Sequence, residues 1–389
     1  MKIAVLGNQA RAMMNFWSVL LRRMIANGHD VFCLVPEPSA GDEPAWEAAL
    51  AGLGVRLVPY PLDRRGMHPV RDFGTLLALL AFFRRERPDV LFAYTVKPVI
   101  YGALAAAMAG FPVKSNRHLM ITGLGYMFEA DSAVKKLLLQ LARLLYRLAF
   151  ACAGTVYFQN DDDRQVFKRL SIIPRSIAVR KSKGTGVDLR HFALRGQAAG
   201  PPVFLFVGRL LEAKGLRELA QAAALVREEH PEARFQLLGP VETGAGAIPV
   251  EEVRAWEQEG LLEYLGETRD VRPYLERASV VVLPSWREGT PCSLMEAMSV
   301  GRAVIAANAP GSREVVIDGL NGILTPVRDA RALANAAKRF IMEPSLAARM
   351  GDAGRAFMEA GFSAESIAGE LLRSMGLERD EPPPHSQQP

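Results

Sequence analysis

Apolar runs of strand length alternate with helix-length amphipathic stretches along most of the chain, and this alternation restricts the fold more than any other feature. "KIAVLG", "HDVFCLVP" and "DVLFAYT" are three such runs from the first half. Strands that are buried on both faces read as continuous apolar runs, and their alternation with helices is typical of a doubly wound parallel sheet. We therefore predict an α/β protein.

The alternation stops in an Ala/Gly/Pro-rich stretch at 193–202 and starts again with "VFLFVG". A stretch of that composition indicates a linker, so we predict two Rossmann-like domains that face each other across a cleft. The predicted parts are an N-terminal domain at 1–195, a C-terminal domain at 196–361, a last helix at 362–377 and a disordered Pro/Gln-rich tail at 378–389.

Charge is unevenly distributed between the two halves of the sequence. Residues 1–195 carry a net charge of +12, and the remainder carries −7, which gives +5 for the whole chain. A basic first half favours an anionic partner, either a membrane surface or a phosphorylated acceptor. The basic residues are dispersed and accompany no nucleic-acid-binding motif, so we expect no nucleic acid partner.

The cysteines and the N-terminus bear on the compartment. Cys33, Cys152 and Cys292 are far apart in sequence, with no CxxC motif, which argues against a zinc site or a disulfide framework and suits a reducing cytoplasm. The sequence starts without a signal-peptide pattern and has no apolar run long enough to cross a bilayer. We therefore expect a cytoplasmic protein.

The stretch "REGTPCSLMEA" at 287–297 carries two glutamates, Glu288 and Glu296, after the buried strand "ASVVVLPS". Pro291 is predicted to be the first residue of a helix that Thr290 caps. The free N–H groups at that helix start would form an anion site, contributed by Cys292, Ser293 and Leu294.

Glu288 and Glu296 would flank a phosphate at this anion site rather than bind it, because a carboxylate repels a phosphate. One glutamate could accept hydrogen bonds from sugar hydroxyls, and the other from the paired hydroxyls of a ribose. That arrangement describes a nucleotide-sugar. The alternative is that Glu288 is simply exposed and that Glu296 is a solvated helix residue.

Two cations follow the first strand of the second half, in "VFLFVGRLLEAKGL". The strand is predicted to end at a tight turn at Gly208, with Arg209 and Lys214 beyond it at the carboxyl end of the sheet. Fixed cations there would stabilise the charge that grows on a departing diphosphate. Two ordinary surface cations are the alternative.

Four motifs of the second half together resemble the retaining glycosyltransferases of family 4. They are "GRLLEAKG" (208–215), "LGETRDV" (265–271), "LPSWREGTPCSLMEAMSVGRAVIAAN" (283–308) and "GSREVVIDGLNGIL" (311–324). The resemblance spans most of the chain. It implies the GT-B fold of two facing Rossmann-like domains, with the last helix crossing back to the first domain.

The resemblance also assigns roles in binding the sugar donor. It implies that Arg209 and Lys214 bind the donor diphosphate, that Glu296 binds the ribose hydroxyls and that Glu288 contacts the transferred sugar. Arg269 would lie near the base, and Gly208, Gly289 and the 290–294 segment would line the site. The family needs no divalent metal, because the two cations and the helix dipole replace it, so no metal and no cofactor is expected.

Two motifs of the first half, "TVKPVIYG" (95–102) and "NRHLMITGLGYMF" (116–128), are similar to a subgroup that glycosylates polyprenyl-diphosphate-linked acceptors at the cytoplasmic membrane. This subgroup includes PglA-like N-acetylgalactosaminyl transferases of bacterial glycan assembly. The resemblance implies a UDP-sugar donor, N-acetylgalactosamine or a related acetamido hexose as the transferred sugar, and peripheral association with an anionic membrane surface.

Further site residues are expected in the first half. Lys97, at a strand end, is a candidate for binding the acceptor's phosphate, although a solvated lysine is an equal alternative. Gly7 is expected to contact the sugar donor, and Asn8 and Gln9 the acceptor, but "GNQA" departs from the Gly-Gly pair of many family members. A second departure, Pro-Gly-Ser at 310–312, affects the backbone contacts to the sugar.

His118 is predicted to follow a strand and to face the cleft, where many family members have a histidine that hydrogen-bonds the donor sugar. A structural histidine that is satisfied by the backbone is the alternative. The Asp-x-Asp within "NDDDR" at 160–164 suggests a metal-dependent transferase at first sight. We favour a helix start there, capped by Asp161 or Asp162.

The helix predicted at 134–150 carries Lys136, Gln140, Arg143 and Arg147 as a polar stripe on an otherwise apolar surface. It could lie in a membrane interface or pack between the sheet and its neighbours with one solvated stripe. The packed arrangement is favoured.

The combined prediction is a metal-independent, retaining glycosyltransferase. Two other functions stay open from sequence: a non-hydrolysing UDP-sugar 2-epimerase, which shares the double Rossmann fold but fits the E-x7-E pair poorly, and a catalytically silent nucleotide-sugar-binding protein. The intact Arg209, Lys214, Glu288 and Glu296 argue against the second.

Overall fold

The computed structural model describes residues 1–37, 43–63, 68–124, 133–244 and 246–378. The chain divides into two compact units, and the division falls between Thr185 and Gly186. The segment that begins at Ala364 belongs to the first unit, so the second unit spans Gly186–Ser363. The predicted boundary after residue 195 lies within the second unit, and the predicted tail from residue 379 onward lies outside the described residues.

The first unit is built on a parallel sheet in the order β3-β2-β1-β4-β5-β6-β7. Its strands are β1 (Lys2–Leu6), β2 (Asp30–Pro36), β3 (Arg56–Tyr60), β4 (Val90–Tyr94), β5 (Arg117–Ile121), β6 (Thr155–Phe158) and β7 (Ala178–Lys181). The side chains of β1 are almost all buried, which is why its sequence reads as an unbroken apolar run.

Helices cover both faces of this sheet. They are α1 (Ala10–Ala26), α2 (Glu43–Ala51), α3 (Pro69–Glu86), α4 (Val96–Ala109), α5 (Ala133–Ala151), α6 (Asp161–Arg169) and α14 (Ala364–Ser374). Ile3 and Val5 of β1 face a core shared with α1 and α14, whereas Ala4 and Leu6 face the core under α3, α4 and α5. The last helix of the described residues, α14, therefore completes the first unit.

Two local predictions change in the first unit. Asn160, not Asp161 or Asp162, caps α6: its side-chain oxygen accepts a hydrogen bond from the Asp163 N–H at 2.7 Å. Asp161 instead pairs with Lys181 at 2.9 Å on the surface. The outer face of α5 also differs from the packed arrangement that was favoured, because several of its leucines are exposed.

The second unit repeats the design with a parallel sheet in the order β10-β9-β8-β11-β12-β13. Its strands are β8 (Val203–Val207), β9 (Arg234–Leu238), β10 (Glu263–Tyr264), β11 (Val280–Leu283), β12 (Ala303–Ala307) and β13 (Gly322–Thr325). Its helices are α7 (Leu216–Arg227), α8 (Val250–Gln258), α9 (Arg272–Arg277), α10 (Cys292–Ser299), α11 (Ser312–Val315), α12 (Ala330–Met342) and α13 (Pro344–Gly361). These elements enclose one apolar core.

Each sheet reverses its strand order at one point, between β1 and β4 in the first unit and between β8 and β11 in the second. Loops that leave neighbouring strands at such a point diverge to opposite faces and leave a crevice at the carboxyl ends, where α/β proteins bind ligands. Gly7 follows β1, and Gly208 follows β8. Both predicted loops therefore lie at a switch point.

The two ends of the second unit meet. The Val187 N–H donates a hydrogen bond to the Phe362 carbonyl at 2.9 Å, and Val187 forms an isolated parallel bridge with Ser363.

Among the helices of the described residues, none combines the length and the apolar composition needed to cross a bilayer.

Candidate functional site

The loop that follows β11 and the start of α10 form the centre of the candidate site in the second unit. The helix begins at Cys292, and Pro291 occupies the cap position in an extended conformation without a side-chain hydrogen bond. The prediction that Thr290 caps the helix is therefore wrong: its hydroxyl is buried and has no partner in the described part of the chain. Because the first N–H groups of a helix lack intrahelical partners, the start of α10 can bind an anion.

Lys214 and Glu288 form an ion pair beside this helix start, through Nζ and Oε1. Both side chains are largely buried, at 20% and 15% exposed. The contact depends on Gly215: a Cβ there would lie 2.3 Å from the Pro284 carbonyl oxygen, and its φ of +73° favours glycine. A glycine thus lets the 208–215 loop approach the end of β11, which brings together two motifs that lie far apart in sequence.

Arg209 is the more accessible of the two predicted cations. Its side chain is 62% exposed, and its Nη1 lies 3.8 Å from Oε1 of Glu242. An ion pair at that distance on an exposed arginine is weak, so the guanidinium can turn towards an anion at little cost. Glu242 was not predicted as a site residue.

Glu296 lies within α10, surrounded by protein although part of its surface stays accessible. Burial raises the pKa of its carboxyl group to about 8. The described residues supply no hydrogen bond or ion pair to this side chain. A carboxyl group in such surroundings is suited to bind polar groups of a ligand, because hydroxyl donors would replace the hydrogen bonds to water that the carboxyl group loses on burial.

The loop after β12 closes against Glu288 and Gly289. Gly311 has a φ of +84°, and a Cβ there would lie 2.5 Å from the Glu288 carbonyl oxygen and 2.6 Å from that of Gly289. The Glu288 N–H donates to the Pro310 carbonyl at 3.0 Å. The Pro-Gly-Ser sequence therefore still permits a close approach of the two backbones.

Three buried hydroxyl groups lie in these loops without a hydrogen-bond partner among the residues that the structure describes. They belong to Ser285, Thr290 and Ser312. A buried hydroxyl without a partner is costly in an empty protein and indicates a place where ligand or solvent atoms complete the bonding. Sequence reasoning missed Ser285 and Ser312, because an isolated serine in a loop carries no pattern.

The segment from Gly266 to Val271 approaches the same sheet edge. The Gly239 N–H donates to the Gly266 carbonyl at 2.8 Å, and a Cβ on Gly239 would lie 1.9 Å from the Gly208 carbonyl oxygen. Arg269 thus belongs to a loop tied through Gly239 to the start of the 208–215 motif. Its neighbour Asp270 forms a bidentate pair with Arg272 at 2.8 and 2.7 Å, which fixes the loop's end.

A second polar cluster lies at the switch point of the first unit. Lys97, in the first turn of α4, binds Asp72 of α3, with 2.6 Å between Nζ and Oδ1. Both side chains are mostly buried, and Tyr101 lies beside them: burial raises the pKa of its phenol, and the Asp72 carboxylate adds to that shift. The solvated-lysine alternative is therefore wrong for Lys97.

The backbone between β4 and α4 is strained at this cluster. Thr95 has φ +67° and ψ 163°, a region that non-glycine residues rarely adopt. Its hydroxyl is buried without a partner in the described ranges. Strain of this kind is often retained at functional sites, so Thr95 is a candidate site residue that the sequence pattern did not reveal.

Gly7, Asn8 and Gln9 follow β1 at the same edge. A Cβ on Gly7 would lie 2.3 Å from the Tyr94 hydroxyl oxygen, so only glycine fits there. The Tyr60 hydroxyl donates to the Gly7 carbonyl at 2.7 Å. Gln9 occupies the cap position of α1 without a side-chain capping bond. The second glycine of the family pattern is not needed for this packing.

His118 is not at the sheet's carboxyl edge, and that prediction is wrong. It is the second residue of β5, because a short 3-10 helix at Lys114–Asn116 occupies the positions that were expected to be strand. The ring is 3% exposed, and its Nδ1 lies 3.3 Å from the Tyr157 hydroxyl, which in turn contacts Ser374 of α14 at 2.6 Å. Burial, with the Arg180 cation, lowers the pKa of His118 to about 4.

The other predicted features are distributed as follows. Residues 125–128 of the "NRHLMITGLGYMF" motif lie outside the described residues. Within the described ranges, no three His, Cys, Asp or Glu side chains come close enough to hold a metal ion.

Solved structures share this fold. The chain superimposes on sucrose-phosphate synthase from Thermosynechococcus elongatus with a TM-score of 0.78 at 20% identity, covering 97% of this chain and 99% of the other. It superimposes on the HepE protein of Anabaena in complex with UDP-glucose with a TM-score of 0.75 at 18% identity, again covering 97% and 99%. At these identities the likeness establishes the fold alone.

Curated relatives are similar in sequence over most of their length. A Campylobacter jejuni N,N'-diacetylbacillosaminyl-diphospho-undecaprenol alpha-1,3-N-acetylgalactosaminyltransferase is 23% identical over 86% of this chain and 88% of its own. An Escherichia coli UDP-Gal:alpha-D-GlcNAc-diphosphoundecaprenol alpha-1,3-galactosyltransferase is 27% identical over 73% of this chain and 74% of its own.

Family models account for both units. The model for a glycosyl transferase 4-like domain matches residues 14–180, and the model for glycosyl transferases group 1 matches residues 201–343. The chain belongs to the family 4 glycosyltransferases and has their GT-B fold.

Proposed function

We propose that this glycosyltransferase moves an acetamido hexose, N-acetylgalactosamine or a close relative, from a UDP-sugar to a polyprenyl-diphosphate-linked saccharide, with retention at the anomeric carbon and without a metal ion. The observation that carries the proposal is the Lys214–Glu288 pair beside the start of α10, with Glu296, to which the described residues supply no partner, farther along that helix. The names of the two curated relatives support the choice of acceptor.

The sugar-donor half of the proposal rests on charge. Lys214, Arg209 and the start of α10 all lie in loops at the carboxyl edge of the second sheet, where they supply positive charge. A leaving diphosphate gains negative charge as the glycosidic bond breaks, so fixed cations lower the barrier without a metal. Once the diphosphate takes Lys214, Glu288 is released to accept hydrogen bonds from the hydroxyls of the transferred sugar.

The acceptor half rests on the polar cluster of the first unit. Lys97 is held by Asp72 in the first turn of α4, so its ammonium group is fixed in position before any ligand arrives. A fixed ammonium group beside a helix start is suited to the diphosphate of a lipid-linked acceptor. Since such acceptors reside in membranes, we propose that the protein works in the cytoplasm, peripherally attached to the inner face of the cell membrane.

Retention needs no dedicated general base in this proposal. The diphosphate oxygen that leaves the anomeric carbon can take the proton of the attacking acceptor hydroxyl from the same face. The chain's part is then to bind and orient: Glu296 grips the ribose, Glu288 the sugar, and the cations hold the diphosphate while it departs. Neither of the two curated relatives named above is an epimerase, and the family membership favours transfer over silent binding.

The test is a sugar-transfer assay with purified protein, EDTA, a panel of radiolabelled UDP-sugars and a polyprenyl-diphosphate-disaccharide acceptor. We expect transfer from one acetamido-hexose donor in EDTA, with an α linkage by NMR of the product. Glu288→Gln should reduce the rate by about 100-fold or more. Glu359→Gln, which changes a surface glutamate paired with Arg355, is the matched control and should leave the rate unchanged.

The possible failures separate the parts of the proposal. Transfer that stops in EDTA and returns with Mg²⁺ would contradict metal independence. A β-linked product would contradict retention. Conversion of the UDP-sugar to its 2-epimer without an acceptor would contradict the transferase assignment.

A further inference from the structure

We propose that the outer face of α3 and α5 is the surface by which the protein docks on an acidic lipid bilayer. The inference deepens the proposed function, on which it rests for its biological sense, by assigning the membrane contact to defined side chains. We call this surface the apolar face. It consists of Val70, Phe73 and Leu77 on α3 and of Leu137, Leu141, Leu144 and Leu148 on α5.

On α5 the exposed leucines form one stripe. Their spacing of four, three and four residues places them on the same side of the helix, and they are between 43% and 71% exposed. The opposite side of α5 carries Ala142, Tyr146 and Ala149, which are buried, and the last two belong to the core of the first unit. The helix is therefore apolar on both sides, whereas the outer side of an ordinary surface helix is polar.

The same feature recurs on α3. Val70, Phe73 and Leu77 follow a spacing of three and four residues and are between 46% and 74% exposed. α4 packs against both α3 and α5, so the two stripes flank it on the same side of the sheet. Monomeric soluble proteins usually expose apolar side chains singly, whereas here two rows of them lie on one face of the unit.

The charged residues of α5 and α3 indicate which partner covers the apolar face. The sequence of α5 contains four Lys or Arg residues and no Asp or Glu. Arg147 is exposed among the leucines, and Arg84 is exposed at the far end of α3. Cations interspersed with exposed leucines are the pattern of helices that lie in the interface of an acidic bilayer.

A second copy of this chain fits the face less well. A two-fold contact through α5 would set its cations against the same cations of the partner helix. No carboxylate on α5 could pair with them. Lipid phosphates supply the negative charge that the helix lacks.

The position of the apolar face relative to Lys97 adds a functional reason. Asp72, which binds Lys97, directly precedes the exposed Phe73 on α3. A lipid-linked acceptor keeps its polyprenyl tail in the bilayer and its diphosphate at the surface. Docking through Phe73 and its neighbours would therefore bring that diphosphate to the Lys97 ammonium group.

The experiment is flotation of the full chain with vesicles of phosphatidylcholine containing one third phosphatidylglycerol. The test variant is Leu141→Gln/Leu144→Gln, and the matched control is Leu320→Gln/Met342→Gln, which replaces comparably exposed apolar residues of the second unit. We expect the wild type and the control to float and the test variant to bind about tenfold less. Equal flotation of the test variant and the control would overturn the proposal.

Two further measurements keep this result separate from the transferase proposal. Transfer to an acceptor with a short, water-soluble lipid should be the same for the test variant and the wild type. If neither protein transfers a sugar although flotation differs, the transferase proposal fails and the docking surface stands. Light scattering without vesicles should show the same mass for both proteins, and a wild-type dimer that the test variant lacks would overturn docking on lipid in favour of a second copy.

Discussion

Lys214 carries its counterion within the protein. Because Glu288 already pairs with its ammonium group, a diphosphate that binds at α10 must displace a carboxylate rather than fill an unbalanced positive site. The exchange lowers the net affinity for any phosphate but couples diphosphate binding to the release of Glu288. In the proposed mechanism, the pair therefore links the binding of the leaving diphosphate to the release of the carboxylate that is proposed to contact the sugar.

This coupling predicts a non-additive double-mutant cycle. Lys214→Met should weaken UDP binding by about 10- to 100-fold, because the Glu288 carboxylate beside the diphosphate then lacks the neutralising Lys214 ammonium group. Lys214→Met/Glu288→Gln should bind UDP more tightly than Lys214→Met alone, since the repulsion is gone. Isothermal titration calorimetry of the wild type, Lys214→Met, Glu288→Gln and the double variant measures the cycle, and additive effects would show that the two side chains act independently.

Glu296 predicts a pH dependence of stability. Its pKa in the folded protein is raised to about 8 by burial, so between roughly pH 5 and 8 the folded state holds a proton that the unfolded state has lost. Folding stability that this group contributes is therefore present at low pH and declines as pH rises through that range, by at most about 1.4 kcal/mol per pH unit.

Glu296→Gln should remove this decline. The thermal unfolding midpoint of the variant minus that of the wild type, both measured without UDP, should increase as pH rises from about 5 to about 8. Glu359→Gln controls for the loss of one surface carboxylate. A difference between Glu296→Gln and wild type that stays constant across this range would contradict the burial of an ionisable carboxyl group at this position.

Among single residues, those that could be placed from the sequence are the ones whose position depends on residues nearby in the chain. Glu288 and Glu296 share one loop and helix, and their placement follows from the strand that precedes them. The pairing of Lys97 with Asp72 joins two helices, and no spacing rule predicts it. His118 was misplaced because Arg117, a charged residue, begins the strand, buried and bound to the Pro112 and Cys152 carbonyls.

At the scale of elements, the site is made by loops that touch through glycines. Gly215, Gly239 and Gly311 each have positive φ and lie so close to another loop's backbone that a Cβ would clash. Together they draw the loops after β8, β9, β11 and β12 to one edge of the second sheet. Their requirement for glycine is therefore twofold, conformational and steric.

A pair of substitutions separates these two requirements. Gly311→Ala should cost about 2–4 kcal/mol of folding stability and weaken UDP binding, because the new Cβ meets the Glu288 backbone. Gly319→Ala has a similar φ of +76° but no atom within 4 Å of the new Cβ, so it should cost about 1 kcal/mol and leave UDP binding intact. Denaturant unfolding and calorimetry measure both. Equal losses for the two variants would show that the loop contact contributes nothing.

The elements themselves were largely predictable, because parallel strands buried on both faces have sequences that few other structures share. Helix starts were less so: α10 begins one residue after Pro291, since the proline adopts the extended conformation of a cap. The outer face of α5 could not be inferred from periodicity. A helix that is apolar everywhere except along one polar stripe has the same sequence pattern whether its outer apolar side is covered by protein or exposed.

At the scale of the molecule, the residues proposed to hold UDP come from one unit. Arg209, Lys214, Glu288 and Glu296 all lie within Gly186–Ser363, which has its own core. Ligand binding stabilises the structure that makes the contacts.

Hydrogen exchange with and without UDP should therefore show a local response. Amides of 208–215 and 285–296 should exchange more slowly with UDP, while those of β1 and β2 in the first unit should not change. UMP, which lacks the second phosphate, is the control and should protect the 208–215 loop less. Equal slowing in β1 and in the donor loops would contradict a binding site built within the second unit.

The two ends of the second unit meet at the Val187–Phe362 hydrogen bond. This affects how such a protein can evolve. The chain leaves the first unit after Thr185 and returns to it at Ala364, where α14 begins. In topological terms the second unit is a domain inserted into the first unit, and the N- and C-terminal ends of the inserted domain lie next to each other. Under the proposed function, recombination at these two points would exchange the proposed sugar-donor site as a whole and leave the first unit, with the proposed acceptor site, unchanged.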